Sequence, residues 1–231
     1  MDFLFEPIWK DFNKLQEKSN VTCEHSIRVA DYAIRLADKL IDCIRSSNAD
    51  EHLLKLFGEL NLDDVKYKVY QAALHHDIGK FKAPDEILNK NGKLSREEFY
   101  VLWPHPYHGM EMLVEEGCED RDILIGVYLS HERLNEKSYF KTKDSYIGLI
   151  ARIIGVTDSF DSKANPHVNG EAARSDKQAA LELILDNGLD RHIVRNFIEM
   201  EGIQISIFDR FKNKLVFQIS RWLNQNKDLK N

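Results

Sequence analysis

A chain of 231 residues with 43% hydrophobic content can bury one sizeable core, which predicts one domain with small additions. Charged residues make up 30% and the formal net charge is -6, a balance that argues against broad nucleic-acid binding through a basic face. The three cysteines, Cys23, Cys43 and Cys118, form no Cys-x-x-Cys pair, so neither a disulfide framework nor a thiolate zinc site is supported.

Helical periodicity dominates the chain and strand-like alternation is nearly absent. Residues 1–19 are expected as a helical lead-in; their start, "MDFLFEPIWKDF", carries acids and lacks the basic flank and long apolar stretch of a signal peptide. From Asn20 to Ile44, Ile27, Ala30, Ile34, Ala37 and Ile41 recur at three- and four-residue steps, one stripe of an amphipathic helix that Asn20 or Thr22 is placed to cap. A polar stretch, "RSSNADEH", precedes a short helix around Leu53 to Leu60. "NLDD" restarts the chain, and Val65, Val69 and Ala72 lead into "LHHDIGK". "KAPDEILNKNGKLS" reads as loop, with Pro84 and Asn91-Gly92 as its marks. "SREEFYVL" reads as helix, with Ser95 and Glu98 at capping-box spacing. Pro104 and Pro106 interrupt it and open a helix through Leu113. Further helices are expected at 121–133, 144–163, 171–186 and 190–199, and "SIFDRFKNKLVFQISRWLNQ" forms a last one within residues 201–231, before a frayed tail. The longest apolar segment, "YIGLIARIIGV", is too short to span a bilayer and contains Arg152. The fold class that follows is all-α, a helical bundle centred on residues 20–200, with the cytoplasm as its setting and no membrane partner.

Three of these helices end their inward stripes in a ligand-type side chain. His76 continues Val65, Val69 and Ala72; His131 follows Leu124, Val127 and Tyr128; Asp158 extends Ile147, Ile150, Ala151 and Ile154. Burying an unpaired polar group costs about 2–7 kcal/mol, and an unpaired carboxylate more. A lone histidine on an apolar face is more often a hydrogen-bonded core residue. Several such groups from distant points in the chain, beside an adjacent His-Asp pair, are better explained by a shared divalent metal cluster. Imidazoles and carboxylates suit iron, manganese or zinc, and an aspartate can bridge two ions. His52, His167 and His192 lie in polar contexts and read as surface residues, and Arg152 reads as half of a structural ion pair.

The stretch "HHDIGKFKAPDEILNKNGKLSREEF" resembles the core signature of the HD-GYP branch of the HD phosphohydrolase superfamily. The similarity continues through "HPYHGMEML", "SHER" and "ARIIGVTDSFD", over about residues 22 to 200. It implies an all-helical HD domain with a di- or tri-metal centre between helices that hydrolyses cyclic dinucleotides, chiefly cyclic di-GMP. By this resemblance His25 in "EHSIRVADYA", His76, Asp77, His105 of the His-x-x-x-Gly block, His131 and Asp158 are metal ligands. One ion would take His25, His76, Asp77 and Asp158, and the second Asp77, His105 and His131. Lys80 matches the lysine that the family points at substrate phosphate, which supplies a local cation in an acidic chain. His108 is left open between a supporting and a merely exposed role. The implied cofactors are two divalent ions, iron or manganese, with zinc or magnesium as further options. The implied partners are a small nucleotide and, as a further option, a signalling protein.

The resemblance breaks in one region. The family has His-His-Glu and then an Asp-Gly-x-Gly-Tyr-Pro loop, whereas this chain reads "SHERLNEKSYF". Ser130 stands before His131, Asn135 replaces the aspartate, Glu136 and Ser138 replace the glycines, and Phe140 replaces the proline. Losing both glycines changes the shape the loop can take. Arg133, Asn135 and Tyr139 remain as candidate substrate-loop residues. Val21 stands one turn before His25, where members with a third metal carry glutamate, so two ions are expected. Three functions follow for weighing: a phosphodiesterase for a cyclic dinucleotide or related phosphoester, a catalytically impaired module that binds metal and a nucleotide or partner, and a different HD-type phosphohydrolase whose substrate is not a cyclic dinucleotide. The flanks are too short for a receiver or sensor pattern, so a domain that acts alone or is recruited is expected.

Overall fold

Local sequence signals start and stop most helices of the computed structural model, which describes residues 4–10, 12–58, 60–135, 139–165, 173–206 and 209. The helix expected beyond Ser206, together with His167, Glu136, Lys137 and Ser138, lies outside these residues. After α1 (Phe12–Lys18), Ser19 caps α2 (Asn20–Arg45) by accepting the Thr22 N–H. The cap is therefore one residue before Asn20 and three before Thr22, the expected candidates. Asp50 caps α3 (Glu51–Phe57), and Gly58, at φ 51°, ends it short of the expected Leu60. Asn61 caps α4 (Leu62–His75), which leaves His76 as its C-terminal cap. A 3-10 turn (Ile78–Lys82) and α5 (Asp85–Leu88) follow. The capping box of Ser95 and Glu98 opens α6 (Arg96–Leu102), as expected. Pro104 and Pro106 open α7 (His105–Glu115), also as expected. The remaining helices are α8 (Arg121–Tyr128), α9 (Leu149–Ala164), α10 (Asp176–Leu185) and α11 (Arg191–Met200). No strand occurs among the described residues.

Three helices are shorter than their periodicity suggests. α8 stops at Tyr128 rather than at 133, so His131 sits in the turn that follows and not on the helical stripe. The Glu132 carboxylate causes the departure: it accepts the N–H groups of Phe140 at 2.8 Å and Thr142 at 2.7 Å, which folds the chain back on itself. α9 begins at Leu149 rather than at 144. Arg152 donates to the carbonyls of Ile147 at 2.7 Å and Asp144 at 3.0 Å, the acceptors a longer helix would use internally. α10 begins at Asp176 because the Ser175 capping box sets its start there.

α2, α4 and α9 pack together at the centre, with α8 against α4 and α9 and with α11 across α2 and α9. Leu36, Leu40, Leu74, Ile153, Phe160 and Phe197 are fully buried between them. The lead-in is strapped to α4. Leu4 N–H reaches the Tyr70 hydroxyl at 3.2 Å, and Ile8 N–H reaches Gln71 Oε1 at 3.3 Å. Gln71 Nε2 donates to the Glu6 carbonyl at 2.7 Å. His75 completes the strap: its Nδ1 bonds the Gln71 carbonyl at 2.7 Å and its Nε2 accepts the Trp9 N–H at 3.3 Å. Burial pushes this imidazole down to about 4, so it stays neutral. Of the two adjacent histidines, the first is scaffold.

One contact sets where the 3-10 turn meets α7. A Cβ at Gly79 would lie 1.9 Å from the His105 carbonyl oxygen and 2.5 Å from Gly109 N, so only glycine lets the two backbones meet. This explains why the "DIGK" and His-x-x-x-Gly blocks belong together. No helix of the described residues is long and apolar enough to cross a membrane.

Arg152 lies in a buried ion pair with Asp190 at 2.8 Å and also bonds the Asp144 carboxylate. Asp190 additionally caps α11 and accepts His52 at 2.8 Å. Burial alone would raise its carboxyl, but the His52 and Arg152 hydrogen bonds hold it below the ordinary value. Asp190→Ala is expected to destabilise the fold by about 3–5 kcal/mol in urea unfolding, since a buried guanidinium loses its partner. The folded carboxyl titrates lower than the unfolded one, so this contribution is complete above about pH 4 and is lost as pH falls through the folded value. The gap between variant and wild type should accordingly narrow in acid.

Candidate metal centre

Six ligand-type side chains meet where α2, the end of α4, the start of α7, the turn after α8 and the middle of α9 converge. His25, His76, Asp77, His105 and Asp158 are buried, and the His131 side chain is 14% exposed. Asp77 is the hub. Its Oδ2 lies 3.7 Å from His25 Nε2 and 3.6 Å from His76 Nε2. Its Oδ1 lies 3.0 Å from His105 Nε2 and 3.6 Å from His131 Nε2. Asp158 reaches His25 Nε2 at 3.2 Å and His131 Nδ1 at 3.4 Å.

The imidazoles are oriented from behind. His76 Nδ1 bonds the Ala73 carbonyl at 2.7 Å and His105 Nδ1 bonds the Leu102 carbonyl at 2.8 Å. His25 Nδ1 bonds Asp161 Oδ2 at 2.7 Å. With Nδ1 as the donor in each case, Nε2 keeps a lone pair aimed at the cluster. His105 Nε2 and His131 Nε2 are 2.8 Å apart, a separation that needs a cation or a proton beside the facing lone pairs. His76 Nε2 and Asp77 Oδ1 are buried and complete no hydrogen bond within the protein.

Charge points the same way. Burial alone would raise the Asp77 carboxyl, but the Lys80 ammonium holds it well below the usual carboxylate range. Burial opposes ionisation of Asp158 too, and hydrogen bonds from His131 and His25 hold it well below the usual carboxylate range. Burial pushes His76 down, and His105 down to about 4, which leaves both rings in the neutral form a metal requires. Burial also acts against a charged His25, yet bonds to Asp158 and Asp161 push it up to about 9. Anionic carboxylates, the neutral His76 and His105 rings and two buried atoms without hydrogen-bond partners fit a divalent cation, which would take the place of the proton that His25 otherwise holds. The ligand atoms of His25, His76 and Asp158 form one group within 4.8 Å, and those of His76, Asp77 and His131 form another. The two groups share His76, whereas the resemblance makes Asp77 the shared ligand. His105 belongs to neither group, although it lies 3.0 Å from Asp77.

The centre opens into a cavity of about 470 Å³ whose lining includes His25, Asp77, Lys80, His131, Tyr139 and Asp158. Lys80 Nζ lies 2.6 Å from Asp77 Oδ2. Tyr139 stacks on His131, with ring centroids 5.2 Å apart, and on Trp103 at 4.3 Å. Arg133 and Asn135 do not line the cavity: Arg133 bonds the Glu132 carbonyl and Ser159, and Asn135 bonds Asn187. Ser130 is fully buried and also absent from the lining. His108 pairs with Glu111 near the surface. His52 and His192 are half-exposed, as expected, and each pairs with an aspartate. A larger groove of about 680 Å³ between α10, α11 and residues 202–205 holds no comparable cluster.

Three further residues shape this site. Asp161 bonds His25 and receives both Arg28 Nε at 2.8 Å and Arg28 Nη2 at 3.0 Å. Its position three residues after Asp158 puts it on the same helical face, a signal available from spacing alone. Glu132 was visible in the "SHER" block but not as the anchor of the following loop. Nothing in the sequence marks Trp103 as a stacking partner.

A helical bundle that converges imidazoles and carboxylates on one buried centre is a metal-binding helical domain. The HD domain family model matches residues 32–193, and the chain belongs to the HD-domain family. It is 31% identical over 188 residues to the cyclic di-GMP phosphodiesterase PA4108 of Pseudomonas aeruginosa, covering 74% of this chain and 44% of that protein. It is 31% identical over 163 residues to the 3'3'-cGAMP-specific phosphodiesterase 1 of Vibrio cholerae, covering 67% of this chain and 32% of the relative. The chain thus spans less than half the length of these relatives. Its fold is similar to that of Bd1817, an HDG"Y"P protein from Bdellovibrio bacteriovorus, with a TM-score of 0.58, 16% identity, and coverage of 84% of this chain and 61% of that one.

Asp161→Asn keeps the shape of the side chain but weakens the acceptor behind His25. The variant is expected to lose about 10- to 100-fold in Mn2+ affinity, measured by competition with a chelator, with helical content unchanged.

Proposed function

We propose that this domain is a metal-dependent phosphodiesterase of the HD-GYP type, acting on a cyclic dinucleotide or a related phosphoester. The observation that carries the reading is the convergence of four imidazoles and two carboxylates beside Lys80, with His25, Asp77, His131 and Asp158 open to the cavity. His25, His76, Asp77, His105, His131 and Asp158 are the proposed ligands, with iron or manganese as the ions that suit them best. Two such ions, when bound, would activate water, clamp the phosphodiester and stabilise the leaving oxygen. The chain supplies the rest. Asp161 and the backbone carbonyls of Ala73 and Leu102 hold three rings in their working tautomer. Lys80 places a point charge where a substrate phosphate would sit, and the Tyr139–Trp103 stack walls one side from water. A cytoplasmic setting, and a domain at residues 20–200 that a signalling partner recruits, belong to the same reading.

Two ions rather than three are proposed. Val21 lines the cavity but cannot coordinate, and Glu24, the nearest acid on α2, bonds Asn20 at 2.7 Å. Metal analysis of reconstituted protein is expected to give two ions per chain, and Asp77→Ala is expected to remove both while circular dichroism keeps its helical signal. Three well-occupied ions, or unchanged occupancy in the variant, would overturn the assignment.

The changed residues after His131 favour a narrower substrate statement. Glu136 brings a negative charge into the loop, and a carboxylate near a dianionic ligand is repulsive by roughly 1 kcal/mol per close pair in a water-like medium. Metal-loaded protein is expected to cleave a small activated aryl phosphodiester, with cyclic di-GMP turned over slowly or undetectably. Efficient cyclic di-GMP hydrolysis would refute this reading of the loop, and no hydrolysis of any phosphodiester would favour a metal-holding binding module.

A further inference from the structure

The cavity holds a second lysine. Lys90, in the turn after α5, lines the same space as Lys80 but comes from a separate segment. We propose that Lys90 grips a second phosphate of the ligand, one that is not cleaved, and that Glu98 holds the lysine in store until that phosphate arrives; the inference rests on the phosphodiesterase reading above.

Lys90 Nζ lies 2.6 Å from Glu98 Oε2, and the two side chains are 34% and 29% exposed. A pair this open to water contributes little, so its exchange for a phosphate is inexpensive. Glu98 does not depend on Lys90 for satisfaction. Its Oε2 also accepts the Ser95 N–H at 2.7 Å in the capping box that starts α6. Lys90 can therefore leave without stranding a carboxylate, and Glu98 goes on capping its helix. α6 itself buries no side chain.

The neighbouring wall suits the ligand this arrangement selects. Ile87, Leu94, Phe99 and Leu102 line it, and Phe99 is edge-on to Trp103 at 5.4 Å between centroids. One cation beside the metal centre, an apolar and aromatic wall, and a second cation match a molecule with a phosphate, a flat ring and another phosphate. Lys80, beside Asp77, serves the phosphate at the metal centre, which leaves Lys90 as the cation for the second phosphate among the described lining residues. A ligand with one phosphate gains nothing from it. Lys90 is on this account a determinant of specificity for two-phosphate ligands.

The competing role is a clamp, in which Lys90 only fastens α6. Two variants that break the same ion pair separate the roles. The Mn2+-loaded protein is titrated calorimetrically with the hydrolysis-resistant bis-phosphorothioate analogue of cyclic di-GMP and with GMP. Lys90→Met is expected to weaken the two-phosphate analogue about 10-fold more than it weakens GMP, the loss of one charge-assisted contact. Glu98→Gln, which frees the lysine, is expected to tighten the analogue, and Lys90→Arg to retain most of its affinity. Equal weakening by Lys90→Met and Glu98→Gln, equal effects of Lys90→Met on both ligands, or no effect would overturn the proposal. Failure of the loaded wild type to cleave bis(p-nitrophenyl) phosphate would instead refute the phosphodiesterase reading, and it leaves the binding comparison intact.

Discussion

The burial of one carboxylate governs this structure. Asp77 is 1% exposed, and a charge in that position is tolerable only when surrounded by groups that compensate it. Lys80 and the rings of His25, His76, His105 and His131 approach it from the turn after α4 and from three other places in the chain. The packing of α2 and α9 against α4 and of the 3-10 turn against α7 is the means by which those groups arrive together.

Because the compensation comes from so many segments, backbone geometry matters as much as side-chain identity. The meeting of Gly79 with the His105 carbonyl puts a ligand at the start of α7 within reach of Asp77. The Glu132 carboxylate performs the matching task on the far side, since its bonds to Phe140 and Thr142 bring Tyr139 over His131. Arg152 delays the start of α9 and ties its first turn to α11 through Asp190. Gly79, Glu132 and Arg152 do not line the cavity, yet each positions an element that belongs to the centre.

Much of this was legible in the sequence, for reasons that differ by element. The stripe of α2 and the capping box of α6 are local signals and appear where they were read. The ends of α8 and α9 were misjudged because apolar spacing continues past them while long-range hydrogen bonds from Glu132 and Arg152 redirect the chain. At the centre, His76, His131 and Asp158 are readable because each follows an apolar run, whereas His25, Asp77 and His105 are marked only by the family resemblance. The spacing of Asp161 from Asp158 places it on the ligand face of α9, but its partner His25 lies 136 residues away, and spacing does not show that bond. The roles of His75 and His76 are equally invisible locally, since both rings are fully buried and only their partners distinguish them.

The strap between the lead-in and α4 has a consequence for how the chain reaches this state. Its four hydrogen bonds join residues 63 to 66 positions apart, so each closes a loop that contains all of α1, α2 and α3. The entropy of that closure is met once, and the later bonds of the strap then form almost without further cost. Contacts of such long range form after local helices and slow the search for the native topology. The last turn of α4, which presents His76 and Asp77, is therefore backed only when the first residues of the chain return to it. A chain cut before α2 would leave the Gln71 amide and His75 Nε2 facing an empty groove beside the metal centre.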